Sequence, residues 1–310
     1  MGPTVTNIII PLFGVMALGS LFGFFRILER EGSAFLSRFV FVVALPALIF
    51  VKLQDVPLEE FFDWPFLGAL GGGMIVTLGI GLAVARFVYS HGITSQGLHA
   101  LTGMYSSTGY IGLPLILVAF GDRGLVPGII GVVVTAAVFL PVVIILAEFD
   151  RTRQTGKFSF RPLLRVFRNP VLIATAAGLL ASAFHVNVPP PVISLGEVLG
   201  AAFVPCSLFA AGLFISGGIG RTSTGEIGWL VFAKLALHPL ITWWLAYHVF
   251  MLDSTLAAIV VIQAALPTGV PVFVLAQEYR QFERRSNAVI VISTGISVFT
   301  LSALLVFLAP

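Results

Sequence analysis

The chain has 310 residues, of which 58% are hydrophobic and only 10% charged, and its mean hydropathy is +1.04. Soluble domains carry about 25% charged residues, so this composition excludes an ordinary water-exposed globule and makes lipid the solvent for much of the surface. The formal net charge of +3 takes its meaning from where the basic residues fall. One cysteine, Cys206, excludes an intrachain disulfide framework. The sequence carries no Cys/His run with metal-ligand spacing, so neither a metal nor a cofactor is expected.

In chain order, apolar stretches of about 20 residues fall at 5–27, 35–53, 64–89, 95–120, 125–149, 169–184, 192–219, 227–251, 255–277 and 287–309. Stretches of this length can cross the hydrocarbon core, which predicts an all-α polytopic membrane protein with ten transmembrane helices. The start, MGPTVTNIII, lacks the basic region of a secretory signal, so the first stretch is expected to be a retained helix. The loop 150–168 holds Arg151, Arg153, Lys157, Arg161, Arg165 and Arg168, which the positive-inside rule places in the cytoplasm. Counting outward from it, Arg26, Arg30, Arg38, Arg86, Arg221, Arg280, Arg284 and Arg285 fall on the same side. Lys52 and Arg123 fall opposite, with Asp55, Glu59, Glu60 and Asp63. The basic excess is therefore topology and not a nucleic-acid surface. The expectation is a multi-pass protein of the cell membrane (inner or plasma) with both termini extracytoplasmic.

Proline landmarks recur at nearly one offset. Pro11 pairs with Pro170, Pro46 with Pro205 and Pro114 with Pro271, at separations of 159, 159 and 157 residues. Their contexts agree: Leu45-Pro46-Ala47-Leu48-Ile49-Phe50 resembles Val204-Pro205-Cys206-Ser207-Leu208-Phe209, and Gly112-Leu113-Pro114-Leu115 resembles Gly269-Val270-Pro271-Val272. This predicts a first five-helix repeat at 1–149, the cytoplasmic loop at 150–168, and a second repeat at 169–310. Five is an odd number, so the second copy is inverted, an arrangement typical of secondary transporters.

The fourth and ninth stretches are poor continuous helices. The fourth contains Ser106, Ser107, Thr108, Gly109, Tyr110, Gly112 and Pro114; the ninth contains Gln263, Pro267, Thr268, Gly269 and Pro271. Proline removes a backbone donor and glycine relaxes the chain, so both helices are expected to break at mid-span. Unwound backbone inside a membrane is tolerated only within protein or beside a water-filled cavity. Matched breaks in two halves point to a binding site. Two half-helix N-termini, each carrying roughly half a positive charge, with the hydroxyls of Ser106, Ser107, Thr108 and Thr268, would suit a carboxylate. Unwound carbonyls would equally hold a cation, so the breaks leave the sign of the substrate open.

Lys234 is the basic residue within a span, with His238 one turn along. It sits about eight residues, or ~12 Å, from the cytoplasmic end, so an extended ammonium reaching the interface competes with a place at the site. At the site it would attract an anion or replace a coupling cation. The carboxylates all map to the ends of spans, so a buried acid for proton coupling is not expected. Gln263 stands just before the ninth-span break as a contact for substrate or ion, or as a packing residue.

Residues Thr108 to Pro114 and on to Phe120-Gly121, then Lys234-Leu235-Ala236-Leu237-His238-Pro239, then Leu266-Pro267-Thr268-Gly269 through Glu278-Tyr279, resemble the auxin efflux carrier family. That family includes bacterial malonate-type transporters and plant PIN carriers, and the likeness covers nearly the whole chain. It implies a fold similar to bile-acid symporters and sodium/proton antiporters, with helices 1, 2, 6 and 7 as scaffold, helices 3–5 and 8–10 as transport core, and helices 4 and 9 crossing at their breaks. Family substrates are organic anions, and plant members form dimers. One departure is Ser107, which stands where the family usually has asparagine; a hydroxyl cannot offer an amide's two donors and acceptor.

The expected function is a carrier of small organic anions working by alternating access, with substrate contacts at Ser106, Ser107, Thr108, Gly109, Tyr110, Gly112, Pro114, Lys234, Gln263, Pro267, Thr268, Gly269 and Pro271. Sodium or a proton stays open as a coupling ion, and a homodimer stays open as the assembly. A sodium-coupled symporter, a channel and a membrane sensor are the competing readings. No zinc-protease motif, intramembrane aspartate pair or nucleophile elbow supports a membrane enzyme.

Overall fold

The computed structural model describes residues 3–28, 30–155, 160–216 and 224–308. Of the residues used to assign sides, Lys157 and Arg221 lie outside the described residues, as do both chain ends on which the expected side of the termini rests. Helices and no β-strands make up the regular structure of the described residues. They run α1 (Pro3–Phe24), α2 (Arg30–Phe39), α3 (Leu45–Leu53), α4 (Leu58–Phe61), α5 (Trp64–Phe87), α6 (Ile93–Met104), α7 (Leu113–Phe120), α8 (Asp122–Val134) and α9 (Leu140–Thr155). There follow α10 (Arg161–Phe167), α11 (Pro170–Ala183), α12 (Pro190–Ala201), α13 (Phe203–Ile215), α14 (Thr224–Phe232), α15 (His238–Trp244), α16 (Ser254–Ala265), α17 (Pro271–Tyr279) and α18 (Glu283–Leu308).

Single π-turns sit between many of these helices, at Val40–Ala44, Thr108–Gly112, Thr135–Phe139, Ala233–Leu237 and Leu245–Val249. The first four each end two residues before a proline: Pro46, Pro114, Pro141 and Pro239. A proline ring clashes with the carbonyl four residues back and offers it no hydrogen. Widening that turn to a π-bulge relieves both problems while the helix continues. These prolines therefore reshape helices without ending them.

Six helical stretches are long and apolar enough to cross a membrane: Gly32–Leu53, Leu58–Phe87, Asp122–Arg153, Pro190–Ile215, Thr224–Val249 and Glu283–Leu308. Four further apolar helices are shorter, at Ile10–Phe24, Thr108–Phe120, Pro170–Ala183 and Ser254–Ala265. Each expected span carries one of these stretches; six reach spanning length among the described residues, and the fourth and ninth fall short because they are interrupted. Large apolar side chains stand exposed along them, among them Phe87, Phe299 and Phe307 at 82%, 78% and 82%. Such exposure fits lipid as the solvent.

The chain forms two compact units, each drawing helices from both sequence halves. The first comprises Met1–Asp63, Gly109–Val133 and Phe167–Gly217. In it α1 packs along α13, and α3 packs on α11 and α12. The α1–α13 contact is backbone against backbone: a Cβ on Gly212 would lie 2.0 Å from the Met16 carbonyl oxygen, and one on Gly19 would lie 2.3 Å from that of Phe209. Small residues permit this approach where lipid supplies no hydrophobic drive between helices. The second unit comprises Trp64–Thr108, Val134–Val166 and Gly218–Pro310. Here α5 packs on α6 and α15, α6 on α9, α15 on α16, and α18 on α14, α16 and α17. Asp150 steadies the start of α6 by accepting from the Thr94 amide at 3.2 Å and the Thr94 hydroxyl at 2.6 Å.

Candidate functional site: two paired helix interruptions

In the second unit, α6 stops at Met104 and helix resumes at Thr108, while α16 stops at Ala265 and α17 starts at Pro271. The fourth-stretch interruption thus covers residues 105–107, at the start of the expected 105–114 run and upstream of Gly109, Gly112 and Pro114. Those three lie in helix, because the π-turn at Thr108–Gly112 absorbs Pro114. The ninth-stretch interruption covers 266–270, around Pro267 and Gly269 as expected.

The two interruptions meet as a single antiparallel bridge between Ser106 and Thr268. The Ser107 amide donates to the Pro267 carbonyl at 2.8 Å, and the Gly269 amide donates to the Tyr105 carbonyl at 3.0 Å. The Thr268 amide donates to Ser293 Oγ at 3.2 Å, and Thr268 Oγ1 donates to the Thr102 carbonyl at 2.8 Å. Buried unwound backbone is costly unless paired, and this miniature sheet does the pairing. Gly269 is required by closeness: a Cβ there would lie 2.9 Å from the Tyr105 ring. Pro271 is the first residue of α17, where its missing N–H breaks no helical bond.

This pairing reduces the donors that sequence reasoning offered to an anion. The amides of Ser107, Thr268 and Gly269 are already engaged. Ser106 differs, for its Oγ is buried without a hydrogen-bond partner. Ser107 and Thr108 are buried beside it, at 6% and 4% exposure.

Lys234 reaches the same region from the π-turn between α14 and α15. It is fully buried, and its Nζ donates to the Ala264 carbonyl at 2.5 Å, with His238 Nδ1 at 3.2 Å. Ala264 lies in the last turn of α16, where unsatisfied carbonyls carry the negative end of the helix dipole. The Lys234 amino group therefore caps the half-helix that leads into the interruption. Gln263, also buried, neighbours that carbonyl in sequence.

The remaining expected site residues, Gly109, Tyr110, Gly112 and Pro114, belong to the first unit, since the division falls between Thr108 and Gly109. There the Tyr110 ring packs on Phe41 with centroids 4.5 Å apart, and its hydroxyl hydrogen-bonds Ser37. The structure thus gathers Ser106, Ser107, Thr108, Pro267, Thr268, Gly269, Pro271, Lys234 and Gln263 in the second unit and leaves four in the first.

Sequence reasoning missed two buried carboxylates in the second unit, Glu148 and Glu226, each 1% exposed. They were read as belonging to the ends of spans, and no periodic signal marks them as buried. Glu148 accepts from the Tyr279 hydroxyl at 3.3 Å, with Arg151 at 3.7 Å. Burial, then the Glu148 charge, pushes the Tyr279 hydroxyl up, so it remains a neutral donor.

A family profile described as membrane transport protein matches residues 4–305, almost the whole chain. The chain belongs to the auxin efflux carrier family. Among relatives of this transporter, a Rhizobium meliloti (strain 1021) protein named "Putative malonate transporter" is 30% identical over 305 residues, 97% of this chain and 95% of that protein. A Methanothermobacter thermautotrophicus protein named as an uncharacterized transporter is 25% identical over 304 residues, 97% of each chain. Auxin efflux carrier component 8 of Arabidopsis thaliana is 30% identical over 164 residues, 50% of this chain and 42% of the plant protein. This member of the family is a multi-pass membrane transporter and not an enzyme.

Proposed function

We propose that this transporter carries small organic anions, carboxylates of the malonate or auxin type, across the cell membrane by alternating access. The substrate carboxylate binds at the paired interruptions, with Ser106, Ser107 and Thr108 as its hydroxyl contacts and Lys234 as the nearby charge. The observations that carry this reading are an unpartnered buried hydroxyl, Ser106 Oγ, in one interruption, and an amino group, Lys234 Nζ, bonded to the last turn of the helix that leads into the other. The names of the bacterial and plant relatives point to the same substrate class.

The architecture proposed with it is ten spans in a 5+5 inverted repeat, with helices 4 and 9 crossing at their breaks. Helix pairings support the repeat. The first helix of each half packs on the second helix of the other, α1 on α13 and α11 on α3. In the second unit, α5 on α6 is mirrored by α15 on α16, and α5 packs on α15. The scaffold would be helices 1, 2, 6 and 7, whose residues fall in the first unit.

Half-helix C-terminal carbonyls are where such carriers commonly coordinate sodium. Here the Lys234 ammonium already holds the Ala264 carbonyl, which favours a built-in positive charge over a sodium-coupled mechanism. The test is thermal stabilisation of the purified transporter by a panel of malonate, other dicarboxylates and aromatic monocarboxylates. Saturable stabilisation by at least one acid, without sodium and weakened in Ser106→Ala, is expected. Stabilisation that requires sodium, or that Ser106→Ala leaves unchanged, would defeat the assignment.

A further inference from the structure

A second convergence of ionisable groups lies in the second unit, built by residues that the transport site does not use. His91 follows α5, His99 is on α6, and Glu226 and Arg285 stand in the first turns of α14 and α18. His91 Nε2 lies 2.6 Å and His99 Nδ1 2.9 Å from the same oxygen, Glu226 Oε1. The other oxygen, Oε2, accepts from Arg285 Nε at 2.7 Å. His99 and Glu226 are buried, at 0% and 2% side-chain exposure, while His91 at 15% opens an edge of the cluster. The rings of Tyr89 and Phe282 flank both imidazoles, with centroids 5.5 to 5.9 Å away.

Two imidazole nitrogens and one carboxylate oxygen are the donor set of three-ligand zinc sites, which keep a fourth position for water. The three atoms here all lie within 4.8 Å of one another. An outer partner that orients a ligating carboxylate is the usual companion of such a set, and Arg285 supplies it. His99 Nε2 is buried without a hydrogen-bond partner, so no bond at that nitrogen fixes the tautomer of the ring. Moving the proton of neutral His99 from Nδ1 to Nε2 frees the Nδ1 lone pair for a metal, gives up the hydrogen bond to Glu226 and leaves a buried Nε2–H unpaired, costs that coordination must outweigh. His91 can present its Nε2 lone pair by the same tautomer change, and the carboxylate already ligates as an anion.

We propose that His91 Nε2, His99 Nδ1 and Glu226 Oε1 form a binding site for one divalent transition-metal ion of the zinc type, joining α6, α14 and the segment after α5. The ion would replace two hydrogen bonds with coordination and staple these elements. The site is distinct from the interruptions and does not depend on the transport reading.

The test uses the full chain in detergent, purified without a histidine tag and titrated with cobalt(II) and zinc(II). One equivalent of cobalt should bind, with the intense visible absorption of a four-coordinate ion, and zinc should displace it. His91→Ala alters the exposed edge of the cluster and should fold; it should lower the affinity at least ~10-fold, as the loss of even an outer partner does. Glu226→Gln should lose the absorption while eluting as folded protein. Absence of the absorption in the wild type overturns the proposal, as does its full retention in His91→Ala, which would show that His91 is not a ligand.

Discussion

Lys234 and Ser106 make opposite demands on stability, and the contrast separates scaffold from site. Replacing Lys234 with Met leaves the buried Ala264 carbonyl without its donor. An unsatisfied buried acceptor costs about 1–3 kcal/mol, so thermal unfolding in detergent should fall by several degrees. Ser106→Ala removes a buried hydroxyl that has no partner. Its unfolding temperature should stay level or rise, while stabilisation by carboxylates weakens. A Ser106→Ala protein that unfolds earlier would mean that the hydroxyl is structural. Sequence reasoning identified both residues as candidates, Lys234 from its charge within a span and Ser106 from its place in a Ser-Ser-Thr run. The Ala264 bond was not legible, because it joins residues 30 apart through the fold. The His91–His99–Glu226 cluster was hidden for the same reason, with His99 and Glu226 separated by 127 positions.

Among the helices, the Gly/Pro signal marked two interrupted runs, and in the fourth the interruption falls at the start of the run and not at its glycines and proline. Pro267 and Gly269 lie inside the ninth-stretch break, whereas Pro114 sits in helix behind a π-turn and residues 105–107 unwind instead. A proline in a membrane helix therefore has two outcomes, and the local sequence did not separate them. What separates them here is tertiary: Tyr105 and Ser107 find backbone partners at Gly269 and Pro267. Pro271→Ala and Thr108→Ala should accordingly reduce transport more than the yield of membrane-inserted protein, measured as flux per folded molecule. An equal loss of flux and folded protein would contradict this. The α1–α13 contact makes a different prediction. Gly212→Leu forces a side chain against the Met16 carbonyl, and overpacking costs about 1–3 kcal/mol or more. The fraction of protein that survives heating and elutes as a single species should drop well below wild type, with Gly14→Leu, which meets no atom within 4 Å, as the control.

At the scale of the whole molecule, composition settled the membrane class, and the family comparison settled that the chain is a transporter. The proposed repeat rests on proline offsets and matching contexts, and helix pairings within each unit are consistent with it. An interior-negative membrane potential favours export of an anion by about 2.3 kcal/mol per charge per 100 mV, roughly twice that for a dianion. On the proposed reading, in which the Lys234 ammonium takes the place of a coupling cation, potential alone should drive net export. The most direct measurement is charge movement by the purified transporter in liposomes, with malonate, other dicarboxylates and aromatic monocarboxylates applied with and without sodium or proton gradients. Saturable currents for at least one carboxylate with no ion gradient, reduced in both Ser106→Ala and Lys234→Ala, are the expected result. Currents that arise only with a sodium or proton gradient, or that both variants leave intact, would contradict it.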